Sequence, residues 1–193
     1  SYTHLTLPTI TSGCRSRGSP ENTASAPFFF LRHRTGQIMF AADEKDRVFE
    51  AEQSIARPRP EVFGFFSDPR NLEAITPPWL RFRIVDPSAL EVGSGAEFTY
   101  RLRLHGIPMT WRSVIAEWEP DVRFVDVQLR GPYSKWHHTH TFQEIPGGTR
   151  ILDRVVYQLP LGAVGRIVAG PFVDHDIAKI FQFRQEKTAE ILA

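Results

Sequence analysis

At 193 residues, 41% hydrophobic and 23% charged, the chain is long enough to bury one sizeable core. Four of its 23 basic residues and one of its 22 acidic residues fall in positions 1–42, which leaves 19 and 21, a net charge of −2, for the remainder. That balance argues against a nucleic-acid binder, no apolar run approaches the roughly 20 residues that span a bilayer, and the single Cys14 excludes an internal disulfide or a cysteine-based metal site. A reducing, cytoplasmic setting is the expectation.

Residues 1–42 are rich in Ser, Thr, Gly and Pro and carry no hydrophobic period. The opening SYTHLTLPTI has the look of a translated adaptor, so this stretch is read as a disordered or non-native tail. Its Ser, Thr and Arg content also fits an organelle transit peptide, which leaves organelle targeting open. The folded domain is expected at residues 43–193.

Arg47–Arg57 alternates as a first strand. Pro58 and Pro60 end it and suit the first turn of a short helix that stops before Asp68-Pro69. A second short helix is expected over Asn71–Thr76, stopped by Pro77-Pro78. Strands then follow at 81–85, 96–105, 109–118, 123–130, 134–145 and 149–159, joined by turns rich in Gly and Pro. Such short connections favour an antiparallel meander, because parallel crossovers need a dozen residues or more. Val164–Val168 and Pro171–Leu192 read as helical, with Pro171 in a first turn and Asp174 and Asp176 near the positive end of the dipole. Gly162, Gly165 and Gly170 around the first of these suggest a loosely held segment, either an ordinary loop or a gate at a cavity mouth.

The hairpin Gly131–Pro160 carries the most informative chemistry. Strand side chains repeat every second residue, so Trp136, His138, His140 and Phe142 share one face, and Thr149, Ile151, Asp153, Val155 and Tyr157 share another. On the earlier strands Phe98, Tyr100, Leu102 and Leu104 share a face, as do Trp111, Ser113 and Ile115. The 123–130 strand is ambiguous: Phe124, Asp126 and Gln128 oppose Val125, Val127 and Leu129, and a slip of one residue inverts the choice. In the last helix Ile177, Phe181 and Arg184 lie on the apolar side, where Arg184 either snorkels or meets an acidic ligand group. His137 is expected to point outward and His175 to face solvent.

One strand, two short helices, a long meander and a terminal helix make an α+β plan. With the motifs FSDPRNLEAITPPWLRFRI, MTWRSVIAEWEP, RFVDVQLRGPYSKWHHTHTF and GTRILDRVVYQLP, it resembles the helix-grip fold of the START-like, or SRPBCC, superfamily over Arg47–Leu192. That superfamily includes polyketide cyclase/dehydrases, coenzyme Q-binding START-like proteins and plant hormone receptors, and the likeness is nearest to uncharacterised bacterial-type members. The resemblance implies a curved antiparallel sheet of six or seven strands wrapped on a long C-terminal helix, and a hydrophobic small-molecule ligand such as a polyketide, lipid or quinone. The expected ligand wall is Phe98, Tyr100, Leu102, Trp111, Ser113, Ile115, Trp136, His138, His140, Phe142, Asp153, Tyr157, Ile177, Phe181 and Arg184.

The polar members of that wall admit several roles. They can orient an apolar ligand, or His138, His140, Asp153 and Tyr157 can act as acid and base in a cyclisation or dehydration. His138 and His140 make a geometrically sound H-x-H pair for zinc, but the sequence offers no clear third ligand, and no metal or cofactor is expected. They can also simply hydrogen-bond one another and lock the sheet. Binding without catalysis is the leading reading, and a non-catalytic accessory module for an enzyme or respiratory complex is a further alternative, its protein partner unknown. No phosphate loop, nucleophile elbow or HExxH motif is present.

Overall fold

The computed structural model describes residues 45–85 and 92–193. The tail expected at 1–42, and its boundary with the domain, lie outside these residues.

Strand β1, Arg47–Ile55, alternates strictly between covered and exposed positions. Arg47, Phe49, Ala51, Gln53 and Ile55 take the covered side, while Val48 is half exposed. Helix α1, Arg59–Ser67, starts with Pro60 in its first turn, where a missing N–H costs nothing. It buries Val62 and Phe63, and each such side chain is worth about 1.5–3 kcal/mol of burial. Phe63 sits edge-on to Trp118, Phe124 and Phe142, so α1 plugs one end of the sheet.

The second short helix takes a different form from the one expected at 71–76. Two 3₁₀ turns stand here instead, Pro69–Leu72, which takes in the first two of those residues, and Pro78–Leu80 beyond their end. Prolines open both turns, and the Asp68 carboxylate accepts from the Arg70 amide at 2.9 Å. That local capping fixes a tight i→i+3 start one residue after Asp68, and Pro77 prevents any α-helical continuation.

The remaining strands are β2 (Arg83–Ile84), β3 (Glu97–Leu104), β4 (Ile107–Glu119), β5 (Arg123–Arg130), β6 (Lys135–Ile145) and β7 (Gly148–Gln158). They form with β1 one antiparallel, curved seven-stranded sheet in the order β1-β7-β6-β5-β4-β3-β2. Register breaks between β4 and β5 at Arg112/Ser113 and Ile115/Glu117 add local bend and twist, as bulges do. The β6–β7 turn needs both of its glycines for different reasons. Gly147 has φ of +82°, and a Cβ on Gly148 would stand 2.1 Å from the Ile55 carbonyl oxygen.

Helix α2 runs unbroken from Gly162 to Ile191. The sequence suggests two segments divided before Pro171, yet Pro171 lies inside the helix. Pro171 and Ile167 are both exposed, so water can satisfy the carbonyl that loses its partner. The second half of α2 buries Ile177 and Phe181 against Val155, Tyr157 and Leu159. The Gln53 side chain donates to the Gln185 carbonyl at 2.7 Å and the Gln185 side chain donates to the Glu52 carbonyl at 3.1 Å, which ties β1 to α2. The first half instead leaves Val164, Ile167, Val168 and Phe172 exposed, as is Leu161 just before it. The result is the helix-grip α+β arrangement: sheet, α1 plug and long helix around one interior. No helix among the described residues is long and apolar enough to cross a membrane.

Candidate functional site

The interior is not filled. A cavity of about 190 Å³ lies between the concave face of β3–β6, the 3₁₀ turns and α2. Apolar and aromatic side chains make most of its wall: Phe98, Tyr100 and Leu102 from β3, Trp111 and Ile115 from β4, Trp136 from β6, and Ile177 and Phe181 from α2. Period-two alternation delivers these residues, since each strand turns every second side chain inward. Trp111 and Trp136 meet edge-to-face with ring centroids 5.2 Å apart, and the Trp111 indole N–H donates to Ser113 Oγ at 2.9 Å.

Asp126 is on the cavity side. Strand β5 presents Phe124 and Asp126 to the interior and buries Val125 on its other face. Both faces of this strand are covered in part, which is why hydrophobicity alone left its orientation open.

Asp126, His138, His140 and Asp153 form a four-membered polar cluster. Register places His138 opposite Asp126 on β5, and His140 opposite both Phe124 on β5 and Asp153 on β7. His138 Nδ1 lies 3.2 Å from Asp126 Oδ2, and His138 Nε2 lies 3.1 Å from Asp153 Oδ1. His140 Nε2 is 3.4 Å from Asp126 Oδ2, and its Nδ1 is 2.7 Å from Asp153 Oδ1. The latter contact is close, but it is off the hydrogen-bonding direction. The two imidazoles sit 3.8 Å apart, and His140 also stacks on Phe124 at 4.3 Å.

Electrostatics follow from this packing. Burial alone would raise the Asp126 and Asp153 carboxyls, but the facing histidines outweigh it and hold both well below the usual carboxylate range. For His138 burial works downward, and the hydrogen bonds and charges of Asp126 and Asp153 reverse it, so its basicity is raised. Arg184 also faces the cavity, with its guanidinium 5.0 Å from the Phe181 ring centroid and its Nε buried without a partner. Burial lowers its basicity against the pull of Asp153, Asp126 and Tyr100. Desolvation pushes the Tyr100 and Tyr133 phenols upward.

Three of the expected wall residues are elsewhere. Phe142 is packed among Phe63, Phe66 and Phe124 under α1. Asp153 is on the inward face of β7, but the two histidines stand in front of it. Its side chain is 8% exposed against 22% for Asp126, so it braces the cluster and does not line the space. Tyr157 lies beneath α2, where its hydroxyl donates to Asp174, which Arg47 also engages. Burial, and then the Asp174 bond, push its phenol up to about 12. Of the two histidines left without a role, His175 is exposed and His137 is half-buried.

Sequence reasoning missed several cavity residues that no strand period could reveal. Phe66 comes from the end of α1, and Leu72, Ile75 and Leu80 come from the 3₁₀ region. Tyr133 enters from the β5–β6 connection because Gln128 clamps that loop, donating to the Tyr133 carbonyl at 2.7 Å. The one available signal was the polar Gln128 five residues before an aromatic.

The family model for "Polyketide cyclase / dehydrase and lipid transport" matches residues 46–193. Among solved structures, protein CV1439 from Chromobacterium violaceum aligns with a TM-score of 0.59 and 12% identity, covering 75% of this chain and 96% of that one. TTHA0849 from Thermus thermophilus gives 0.53 and 19%, covering 76% and 100%. The di-domain ARO/CYC StfQ from the steffimycin biosynthetic pathway gives 0.61 and 13%, covering 76% of this chain and 50% of that one. These identities speak for the fold alone. No curated protein matches the sequence.

Proposed function

We propose a function from the premise that this chain belongs to the polyketide cyclase / dehydrase and lipid transport family. It binds a hydrophobic small molecule of polyketide, lipid or quinone type between the sheet and α2. The observation that supports this is an apolar cavity with its few polar groups gathered together: Arg184, Asp126, His138 and His140 among aromatic walls. Small-molecule sites are built this way, with contact area from apolar surface and orientation from a few directional groups. An unpartnered guanidinium nitrogen in such surroundings favours a ligand with a carboxylate, enolate or carbonyl at one end.

The test is native mass spectrometry of the full chain as purified, followed by titration with a hydrophobic fluorophore. A copurifying apolar compound and saturable fluorophore binding are expected, and Leu102→Trp, which fills the cavity from β3, abolishes both while the protein stays folded. A folded wild-type protein that binds neither, or binding indifferent to Leu102→Trp, would sink the proposal.

A second reading is supported by the cluster itself. Two imidazoles held by carboxylates at the cavity surface are placed to move a proton to or from a bound ligand. In that case the protein carries out a cyclisation or dehydration, and His138→Ala or His140→Ala lowers turnover by about 10²–10⁴-fold, the usual share of acid–base catalysis. Full turnover of an identified substrate by both variants would remove this reading and leave binding intact.

A further inference from the structure

We propose that Asp126, His138 and His140 form a site for a divalent first-row transition-metal ion at the polar end of the cavity. The sequence shows a pair of histidines without a third ligand; the fold supplies it from β5. Each of Asp126, His138 and His140 offers one ligand atom, and these three atoms lie within 4.8 Å of one another. His138 Nδ1 and His140 Nε2 stand 3.2 and 3.4 Å from Asp126 Oδ2. Donors about 2.0–2.2 Å from a tetrahedral ion are about 3.4 Å apart, so these two edges already fit. The third edge lies between the two imidazoles, whose ring centroids are 3.8 Å apart.

The proton positions point the same way. Each neutral imidazole has one N–H and one lone pair. Asp153 faces His138 Nε2 and His140 Nδ1, the two nitrogens turned away from Asp126. A proton on His138 Nε2, where Asp153 Oδ1 stands in hydrogen-bond reach at 3.1 Å, leaves the lone pair of His138 Nδ1 on the side of Asp126 Oδ2, itself only an acceptor, and the Nδ1–H tautomer of His140 frees its Nε2 on the same side. Three acceptors converging in a buried place need a cation among them. Extra protons on the rings are one solution, and a metal ion satisfies all three at once. Two neutral imidazoles and two carboxylates then balance a doubly charged ion. A carboxylate behind metal-ligating histidines is also the usual device that fixes their tautomers.

Asp126 is the accessible member of the cluster, so the ion faces the cavity with open coordination positions. Two imidazoles and one carboxylate suit Zn²⁺ or Fe²⁺ better than Mg²⁺ or Ca²⁺. The site does not depend on the hydrophobic ligand, and either proposal can fail without the other.

The experiment strips the full chain with a chelator, then titrates it with Co²⁺ followed by absorption and with Zn²⁺ followed by calorimetry. One equivalent binds, with the visible d–d bands of a low-coordinate nitrogen and oxygen site. Asp126→Asn and His140→Gln each weaken binding at least about 100-fold, while Asp153→Asn weakens it about 10–100-fold at unchanged stoichiometry. Circular dichroism in chelator establishes that each variant is folded. X-ray absorption of the wild-type zinc form gives two imidazoles and oxygen, with no sulfur from Cys14, and provides a reading independent of the variants. A folded wild-type chain that takes up no metal, sulfur in the coordination shell, or full binding by a folded Asp126→Asn and His140→Gln double variant overturns the proposal and leaves ring protons alone as the cation.

Discussion

Asp174 illustrates how a single carboxylate can serve the fold at a position the sequence marks only as a helix-start acid. It accepts from the Arg47 guanidinium at 3.0 Å and from the Tyr157 hydroxyl, which joins β1, β7 and α2 at one point. Burial would raise its pKa, but the bonds from Arg47 and Tyr157 prevail and lower it. A depressed folded-state pKa means stability present above the unfolded value of about 3.9, and lost as pH falls through the folded one. The melting temperature of wild type should therefore exceed that of Asp174→Asn at neutral pH, and the gap should shrink as acid protonates Asp174. A gap constant down to strongly acidic pH would show that the Arg47 and Tyr157 bonds do not hold the charge. Histidine, aspartate and tyrosine on the hairpin were all visible from their period-two spacing. Their division of labour was not, because it depends on depth: two histidines reach the cavity, Asp153 stops behind them, and Tyr157 is claimed by α2.

Among the elements, the strands were legible and the helices less so. Alternation and short Gly and Pro turns define every strand to within a few residues, because a half-buried antiparallel sheet imposes that pattern directly. The 3₁₀ turns and the continuous α2 depend on local capping and on solvent around Pro171, neither of which has a strong hydrophobic signature. The start of α2 shows what its glycines do. Leu161 takes φ of +66° as the helix N-cap, with no side-chain cap, and a Cβ on Gly165 would lie 1.9 Å from the Pro160 carbonyl oxygen. Close backbone approach, and not looseness, explains that glycine. Gly165→Ala should therefore destabilise the protein by about 1–3 kcal/mol, although alanine is the better helix former by about 1 kcal/mol. Urea denaturation with an unchanged slope would measure it. A stabilised Gly165→Ala variant would mean that the first turn of α2 can move away from Pro160 at no expense.

For the molecule as a whole, the size of the interior decides what it can hold as it stands. An engineered apolar cavity of about 150 Å³ accepts benzene, so about 190 Å³ suits one or two fused rings, and a larger polyketide or a long-tailed quinone needs the walls to part. The β3–β4 hairpin is the wall best placed to do so, because β3 has only the two-residue β2 beyond it and the hairpin tip is exposed. His105 at that tip meets Asp176 of α2 at 2.7 Å, with the histidine side chain 69% exposed. Exposed pairs of this kind are worth about 0–1 kcal/mol, a weak clasp between hairpin and helix. His105→Ala should then speed association of three-ring ligands several-fold and leave one-ring ligands unaffected, as read by stopped-flow quenching of Trp111 and Trp136, which line the cavity. Equal acceleration for both sizes would show instead that the clasp guards entry and does not limit capacity. No acceleration for either would place the moving wall elsewhere, with the 3₁₀ turns as the next candidate because Pro69, Leu72 and Leu80 also line the cavity.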